Sequence, residues 1–135
     1  MKPTSALFSF AMVFAVACYS ASTETGNTIT PEVIAAIEQQ ALIVDVRTPE
    51  EFAAGHYPGA INIPHETILD GLNQLGVTAD AAVILYCRSG NRSGQAEQAL
   101  LEKGFTQAKN AGGLEALLSA TAQHAARPTS AASSK

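Results

Sequence analysis

Residues 82–93 read Ala82-Val83-Ile84-Leu85-Tyr86-Cys87-Arg88-Ser89-Gly90-Asn91-Arg92-Ser93. The apolar run from Ala82 to Tyr86 predicts a strand, and Ser93 to Lys103 predicts a helix. A cysteine therefore stands where a strand ends and a helix is about to begin. The first N–H groups of a helix have no intrahelical partner, and the helix dipole adds partial positive charge there. A thiol in that place ionises more readily, and the thiolate is the reactive form. Gly90 permits left-handed backbone angles, so the loop amides can converge on one point as an anion nest. Arg88 and Arg92 bring two positive charges into a chain of formal charge −4. A cysteine closing a buried strand is by default a small hydrophobe. The flanking arginines and glycine single this one out. The loop reads as a cradle for an anion, with Cys87 at its floor and Arg88, Ser89, Gly90, Asn91, Arg92 and Ser93 around it.

Upstream, Thr30-Pro31 opens a helix, with threonine as N-cap and proline at the first helical position; Val33, Ile34 and Ile37 form its apolar face. Ala41 to Val46 is apolar enough for a strand covered on both faces. Thr48 and Glu51 frame a capping box around Pro49, and that short helix stops near Gly55. Ala60 to Ile63 predicts a short strand, and Ile68, Leu72 and Leu75 a helical stripe closed by Gly76. Downstream, Ala96, Ala99 and Leu100 point inward from the helix after the cysteine, which Gly104 closes. Phe105 to Asn110 predicts a last strand. Gly112-Gly113 leads into a helix with Leu114, Leu117 and Leu118. Strands alternating with helices at this spacing predict an α/β fold, with a parallel sheet and helices on both faces. Ligands of such sheets sit outside the carboxyl ends of the strands. Cys87 and Asp45-Val46-Arg47 share that edge. Asp45 and Arg47 are expected as structural support, an ion pair or hydrogen bonds that fix neighbouring loops. His56 is expected as a hydrogen-bonding loop residue.

A chain of 135 residues and this composition is one domain. The negative charge argues against a nucleic-acid surface. Met1 to Ala17 has the form of a secretory signal peptide: an early Lys2, then an apolar run from Ala6 to Ala17 too short to span a bilayer. Ala15-Val16-Ala17-Cys18 fits an ordinary signal-peptidase site. It also resembles a bacterial lipobox, in which Cys18 would carry the lipid and anchor the protein to a membrane. Either cut removes Lys2 and leaves 7 basic against 12 acidic residues, a charge of −5. It also leaves Cys87 without an intramolecular partner, unless an unlipidated Cys18 remains. Expected segments are thus a signal peptide at 1–17, a flexible tether at 18–28, the domain at 29–124 and a disordered tail at 125–135. Export to a periplasm and a monomeric state are expected. No spacing of histidine, cysteine or acidic residues suggests a metal, and no cofactor is expected.

Two stretches resemble the paired signature of rhodanese-like domains: Leu42-Ile43-Val44-Asp45-Val46-Arg47-Thr48-Pro49-Glu50-Glu51-Phe52, and Gly55-His56-Tyr57-Pro58-Gly59-Ala60-Ile61-Asn62-Ile63-Pro64. Tyr86 to Ser93 resembles the active-site loop of the same family, in the same order and spacing. The resemblance covers about Ile29 to Leu118 and is nearest to single-domain exported rhodaneses. It implies a five-stranded parallel sheet flanked by helices. It also implies sulfur transfer through a Cys87 persulfide, from a small anionic donor such as thiosulfate to a thiophilic acceptor such as cyanide or a thiol. The family's tryptophan after Gly112-Gly113 is missing here, where Leu114-Glu115-Ala116-Leu117 stands. A cysteine phosphatase would need arginine at position 93, where Ser93 stands. A dithiol redox protein would need cysteine at position 90, where Gly90 stands. A non-catalytic sulfur carrier or binding module of the cell envelope stays open.

Overall fold

The computed structural model describes residues 29–127. The expected signal peptide, the tether with Cys18, and the tail beyond residue 127 lie outside the described residues. Nine regular elements alternate along the chain: α1 Pro31–Glu38, β1 Leu42–Asp45, α2 Pro49–Ala54, β2 Ile61–Asn62, α3 Ile68–Gln74, β3 Val83–Cys87, α4 Asn91–Glu102, β4 Ala108–Gly113 and α5 Leu114–Ala126. A turn of 3-10 helix at His65–Thr67 leads into α3.

The four strands form one parallel sheet in the order β2-β1-β3-β4. The resemblance implied five strands. The described chain has four strand-forming runs, and each of them is used. The chain leaves β1 toward one edge and returns to place β3 on its other side, so the switch point lies between β1 and β3. A crevice at the carboxyl ends of these two strands is where such sheets hold ligands.

Side chains of a strand alternate between faces, and here the alternation divides the core in two. Val44, Val46, Val83, Leu85 and Cys87 pack with Ile68 and Leu72 of α3 and Ala96 and Leu100 of α4. Ile43, Ile84 and Tyr86 pack on the other face with Val33 of α1 and Leu117 of α5. Leu72, Leu100 and Leu117 are fully buried, each contributing roughly 1.5–3 kcal/mol of transfer free energy. Gly71 lets α3 approach the sheet: a Cβ there would collide with the side chain of Ile63.

Several elements differ from their sequence expectations. Leu75, read as part of the apolar stripe, is 58% exposed, because α3 ends at Gln74. Leu118 also faces outward, leaving Leu117 as the buried residue of α5. Thr30 caps α1 through its backbone only, whereas the Thr48–Glu51 capping box is complete. The last strand begins at Ala108, not Phe105. The Phe105 amide closes the end of α4 on the Leu100 carbonyl at 3.0 Å, and its ring enters the core there. Gly112 and Gly113, expected as a linker, belong to β4, where Gly113 pairs with Cys87 across a register shift. α5 runs to Ala126, past the expected domain end at His124.

Candidate active site

Cys87 ends β3 and α4 starts at Asn91, two residues earlier than the sequence suggests. Gly90 stands between them as N-cap with φ 91° and ψ −9°. Only glycine takes that left-handed conformation without a steric penalty. The consequence is that the Gly90 N–H turns back onto Cys87 Sγ at 2.9 Å. Ser93 Oγ lies 3.4 Å from the same sulfur. Burial pushes the Cys87 thiol up, but the Ser93 hydroxyl and the amides of Ser93, Ser89 and Gly90 outweigh it, and the net direction is down. The donors of the loop thus converge on the sulfur itself. Cys87 itself is fully buried.

The Ser93 hydroxyl has one proton and three acceptors in reach: Asn110 Oδ1 at 2.7 Å, Cys87 Sγ at 3.4 Å and the Gly112 carbonyl at 3.5 Å. Asn110 Oδ1 also accepts the Gly112 amide at 2.8 Å. The Ser93 proton can therefore turn to a thiolate without orphaning Asn110. Asn110 donates through Nδ2 to the Gly90 carbonyl at 3.1 Å, and its amide donates to Glu97 Oε1 at 3.0 Å. It pins the loop and α4 to β4. Sequence reasoning assigned Asn110 only to a strand.

Arg92, expected to face a substrate anion, is held by a two-pronged ion pair from α2. Its Nη1 donates to Glu51 Oε2 at 2.8 Å and its Nη2 to Oε1 at 3.0 Å. Arg92, first of all, with the Thr48 amide, holds the Glu51 carboxyl down at about 2. Glu51 thus closes the capping box and the ion pair with one carboxylate. The capping spacing was visible in sequence, but the partner 41 residues away was not. Arg88 is exposed and, among the described residues, has no hydrogen-bond or ion-pair partner. Ser89 and Asn91 are exposed too.

Asp45 and Arg47 form the expected structural pair. Asp45 is completely buried and Arg47 nearly so. Asp45 accepts from Arg47 Nη2 at 2.5 Å, Arg47 Nε at 2.9 Å, the Arg47 amide at 2.9 Å and the Tyr86 hydroxyl at 2.9 Å. Arg47 Nη2 also reaches the Gly55 carbonyl at 2.7 Å, and its guanidinium lies 5.7 Å from the Tyr86 ring centre. Burial, foremost, pushes the Tyr86 hydroxyl well up, so it stays protonated; it donates to Asp45 and accepts the Tyr57 amide at 2.9 Å. Asn62 bridges the Asp45 and Arg47 carbonyls at 3.1 and 3.0 Å. Tyr86 and Asn62 were missed as site support. A tyrosine ending an apolar strand is a signal in itself, since a buried hydroxyl needs a partner. His56 accepts its expected loop role: Nδ1 sits 2.9 Å from the Phe52 carbonyl and its ring stacks on Phe52.

A cavity of about 360 Å³ opens beside the loop, lined by Arg47, Glu51, Ala54, Arg88, Leu114 and Glu115. Among the described residues, no three of His, Cys, Asp or Glu gather as a metal site.

The rhodanese-like domain family matches residues 30–120. Thiosulfate sulfurtransferase PspE of Escherichia coli (strain K12) is 40% identical over 72 residues, covering 53% of this chain and 69% of its own. A solved rhodanese with anions from E. coli superposes with a TM-score of 0.54 at 38% identity, covering 56% of this chain and 89% of its own. The human single-domain sulfurtransferase TSTD1 superposes with a TM-score of 0.58 at 28% identity, covering 70% of this chain and 96% of its own. With a match that runs from α1 into α5, this chain belongs to the rhodanese-like domain family.

Proposed function

We propose that the protein is a sulfurtransferase that carries sulfane sulfur on Cys87, with thiosulfate or a similar small anion as donor. One observation carries the proposal: the sulfur of Cys87 sits inside a ring of N–H and O–H donors at the start of α4. Such a ring favours the thiolate, and equally an anionic persulfide. The related thiosulfate sulfurtransferase and sulfurtransferase support the same chemistry.

In the proposed cycle the Cys87 thiolate attacks the outer sulfur of thiosulfate. A new S–S bond forms at Cys87, the donor's S–S bond breaks, and its electron pair leaves on sulfite. An acceptor such as cyanide or a thiolate then attacks the outer sulfur of the persulfide. That S–S bond breaks in turn, and its electron pair returns to Cys87 Sγ. Arg88 supplies the free positive charge that draws in the donor. Arg92, with its fork taken by Glu51, contributes charge from a fixed position at the loop. Gly90 and Ser93 hold the anionic sulfur, while Ser89 and Asn91 shape the loop. Cys87 is fully buried, so the proposed attack requires the loop to open over the sulfur.

The test is an intact-mass measurement after incubation with thiosulfate and no reductant. Wild type gains one sulfur atom, which cyanide discharges; Cys87→Ser gains none. No gain on a wild type with a titratable thiol would sink thiosulfate as donor and favour a carrier or binding module. The N-terminal apolar run supports export of this domain, with Cys18 lipidated or removed. Palmitate labelling of wild type but not of Cys18→Ser would show the lipidated form.

A further inference from the structure

Asn110 reaches from β4 to both groups that donate to the Cys87 sulfur. Its Oδ1 accepts the Ser93 hydroxyl at 2.7 Å, and its Nδ2 donates to the Gly90 carbonyl at 3.1 Å. The Gly90 amide and Ser93 Oγ stand 2.9 and 3.4 Å from Sγ. The Asn110 amide has one orientation, because the Gly112 N–H donates to Oδ1 at 2.8 Å and the Gly90 carbonyl takes a donor. α4 leaves room for it at Gly94, where a Cβ would press on Nδ2 at 3.3 Å. Ser93 is fully buried, so its one proton needs an acceptor in every state of the site. Beside a thiol, that proton lies on Asn110, and Ser93 Oγ can accept the S–H of Cys87. Beside a thiolate, which only accepts, it turns to the sulfur. Asn110 Oδ1 then keeps the Gly112 N–H, so the reversal does not strand it.

We infer that Asn110 is a positioning residue that holds the Ser93 hydroxyl off the uncharged sulfur and releases it when Cys87 becomes anionic. This rests on the proposed use of Cys87 as the sulfur carrier and describes the regulation of that same site. The hydroxyl is supplied to Sγ twice in the cycle, when the thiolate forms and when it leaves the persulfide. No bond to Asn110 is made or broken. Asn110 therefore acts on Cys87 with a sign opposite to that of Ser93: the serine favours the thiolate, and its resting acceptor favours the thiol. The charged groups around the loop are Arg88, Arg92 with Glu51, and His65 with Glu66. Asp45 holds Arg47 and Tyr86 across the sheet, and Glu97 takes the Asn110 backbone amide. None of them is altered in the variants below, so a difference between variants reads the hydroxyl.

The experiment titrates Cys87 by the ultraviolet absorbance of its thiolate, in the full chain carrying Cys18→Ser so that one thiol remains. Asn110→Ala and the bulkier Asn110→Leu remove the resting acceptor, which costs the thiol a hydrogen bond and the thiolate none. The ionisation constant of Cys87 should rise about threefold to tenfold in each. Adding Ser93→Ala should abolish that rise and return the constant of Ser93→Ala alone. A residue that only pins the loop predicts the reverse, since donors that drift from the sulfur lower the constant. An unchanged or lowered constant therefore overturns the inference, as does a rise that survives Ser93→Ala. A second measurement needs no Asn110 variant. As Cys87 ionises in the Cys18→Ser chain, the Gly112 amide proton should move downfield by NMR, because Oδ1 is left with that donor. In Ser93→Ala it should move far less. An equal movement in both chains, or none in either, overturns the inference. The persulfide reading fails separately. If Cys87 titrates as described but gains sulfur from neither thiosulfate nor inorganic polysulfide, the carrier role falls and the hydroxyl reversal stands. A Cys87 that loads with sulfur but titrates without regard to Asn110 overturns this inference alone.

Discussion

Tyr86 and Cys87 are neighbours on β3, yet they end in opposite kinds of environment. Tyr86 points to the α1 and α5 side, Cys87 to the α3 and α4 side. Around Tyr86 the hydrogen bonds are fixed: Asp45 takes the Arg47 guanidinium, the Arg47 amide and the tyrosine hydroxyl. Around Cys87 the donors converge on a thiol that, while neutral, uses them poorly. The first arrangement is closed and holds the strand end in place. The second is short of negative charge, which a thiolate or a persulfide would supply. Period-two alternation lets one strand end serve both purposes, since the sheet separates them.

This contrast can be broken most forcefully at Asp45. Asp45→Ala leaves Arg47 buried and unpaired, and urea unfolding should show a loss of about 3–5 kcal/mol. An unchanged midpoint would mean that the closed side is not structural. Next in size is Tyr86→Phe, which removes one donor to Asp45 and one acceptor for the Tyr57 amide. A loss of about 1–3 kcal/mol is expected, with the alkylation rate of Cys87 unchanged. A slower alkylation would show that the two faces are coupled.

Ser93→Ala sharpens the other side. The pH midpoint for iodoacetamide alkylation of Cys87 should move up, with a rate about tenfold lower at pH 7. Unchanged kinetics would leave the amides as the whole source of the depression. The smallest effect is expected for Glu51→Gln. Both side chains of the Glu51–Arg92 pair are 30% exposed, so the cost at pH 7 should be at most about 1 kcal/mol. Its pH dependence has a definite sign. The folded Glu51 pKa is about 2, below the ordinary 4.5. The carboxylate's contribution is therefore full above pH 4.5 and lost as pH falls toward 2. The stability difference between wild type and Glu51→Gln should shrink over that window, and urea titrations at pH 7 and pH 3 would show whether it does.

Much of the architecture was legible in sequence because it depends on local rules. Thr48, Pro49 and Glu51 start α2 through a capping box that spans three residues. Val83 to Tyr86 is uniformly apolar because β3 is covered on both faces. Gly90 marks the left-handed turn that any L side chain would resist. Where expectations slipped, a tertiary contact outweighed the local pattern. Phe105 has strand propensity, yet it closes α4 and fills the core, so β4 starts later. Leu75 continues the helical stripe, but α3 ends before it and leaves it in water.

By itself, then, the sequence determined the alternating elements, the parallel sheet they imply and the placement of Cys87 at a strand-to-helix junction. Those features follow from side-chain period, capping chemistry and backbone sterics over a few residues. Only the tertiary structure decided which charges are spent and which are free. Arg92 meets Glu51 across 41 positions, and the Tyr86 hydroxyl meets Asp45 across the same separation. Asn110 reaches the loop from β4. Pairings of this kind depend on strand order and register, which bring distant residues within hydrogen-bond reach without leaving a spacing in the chain.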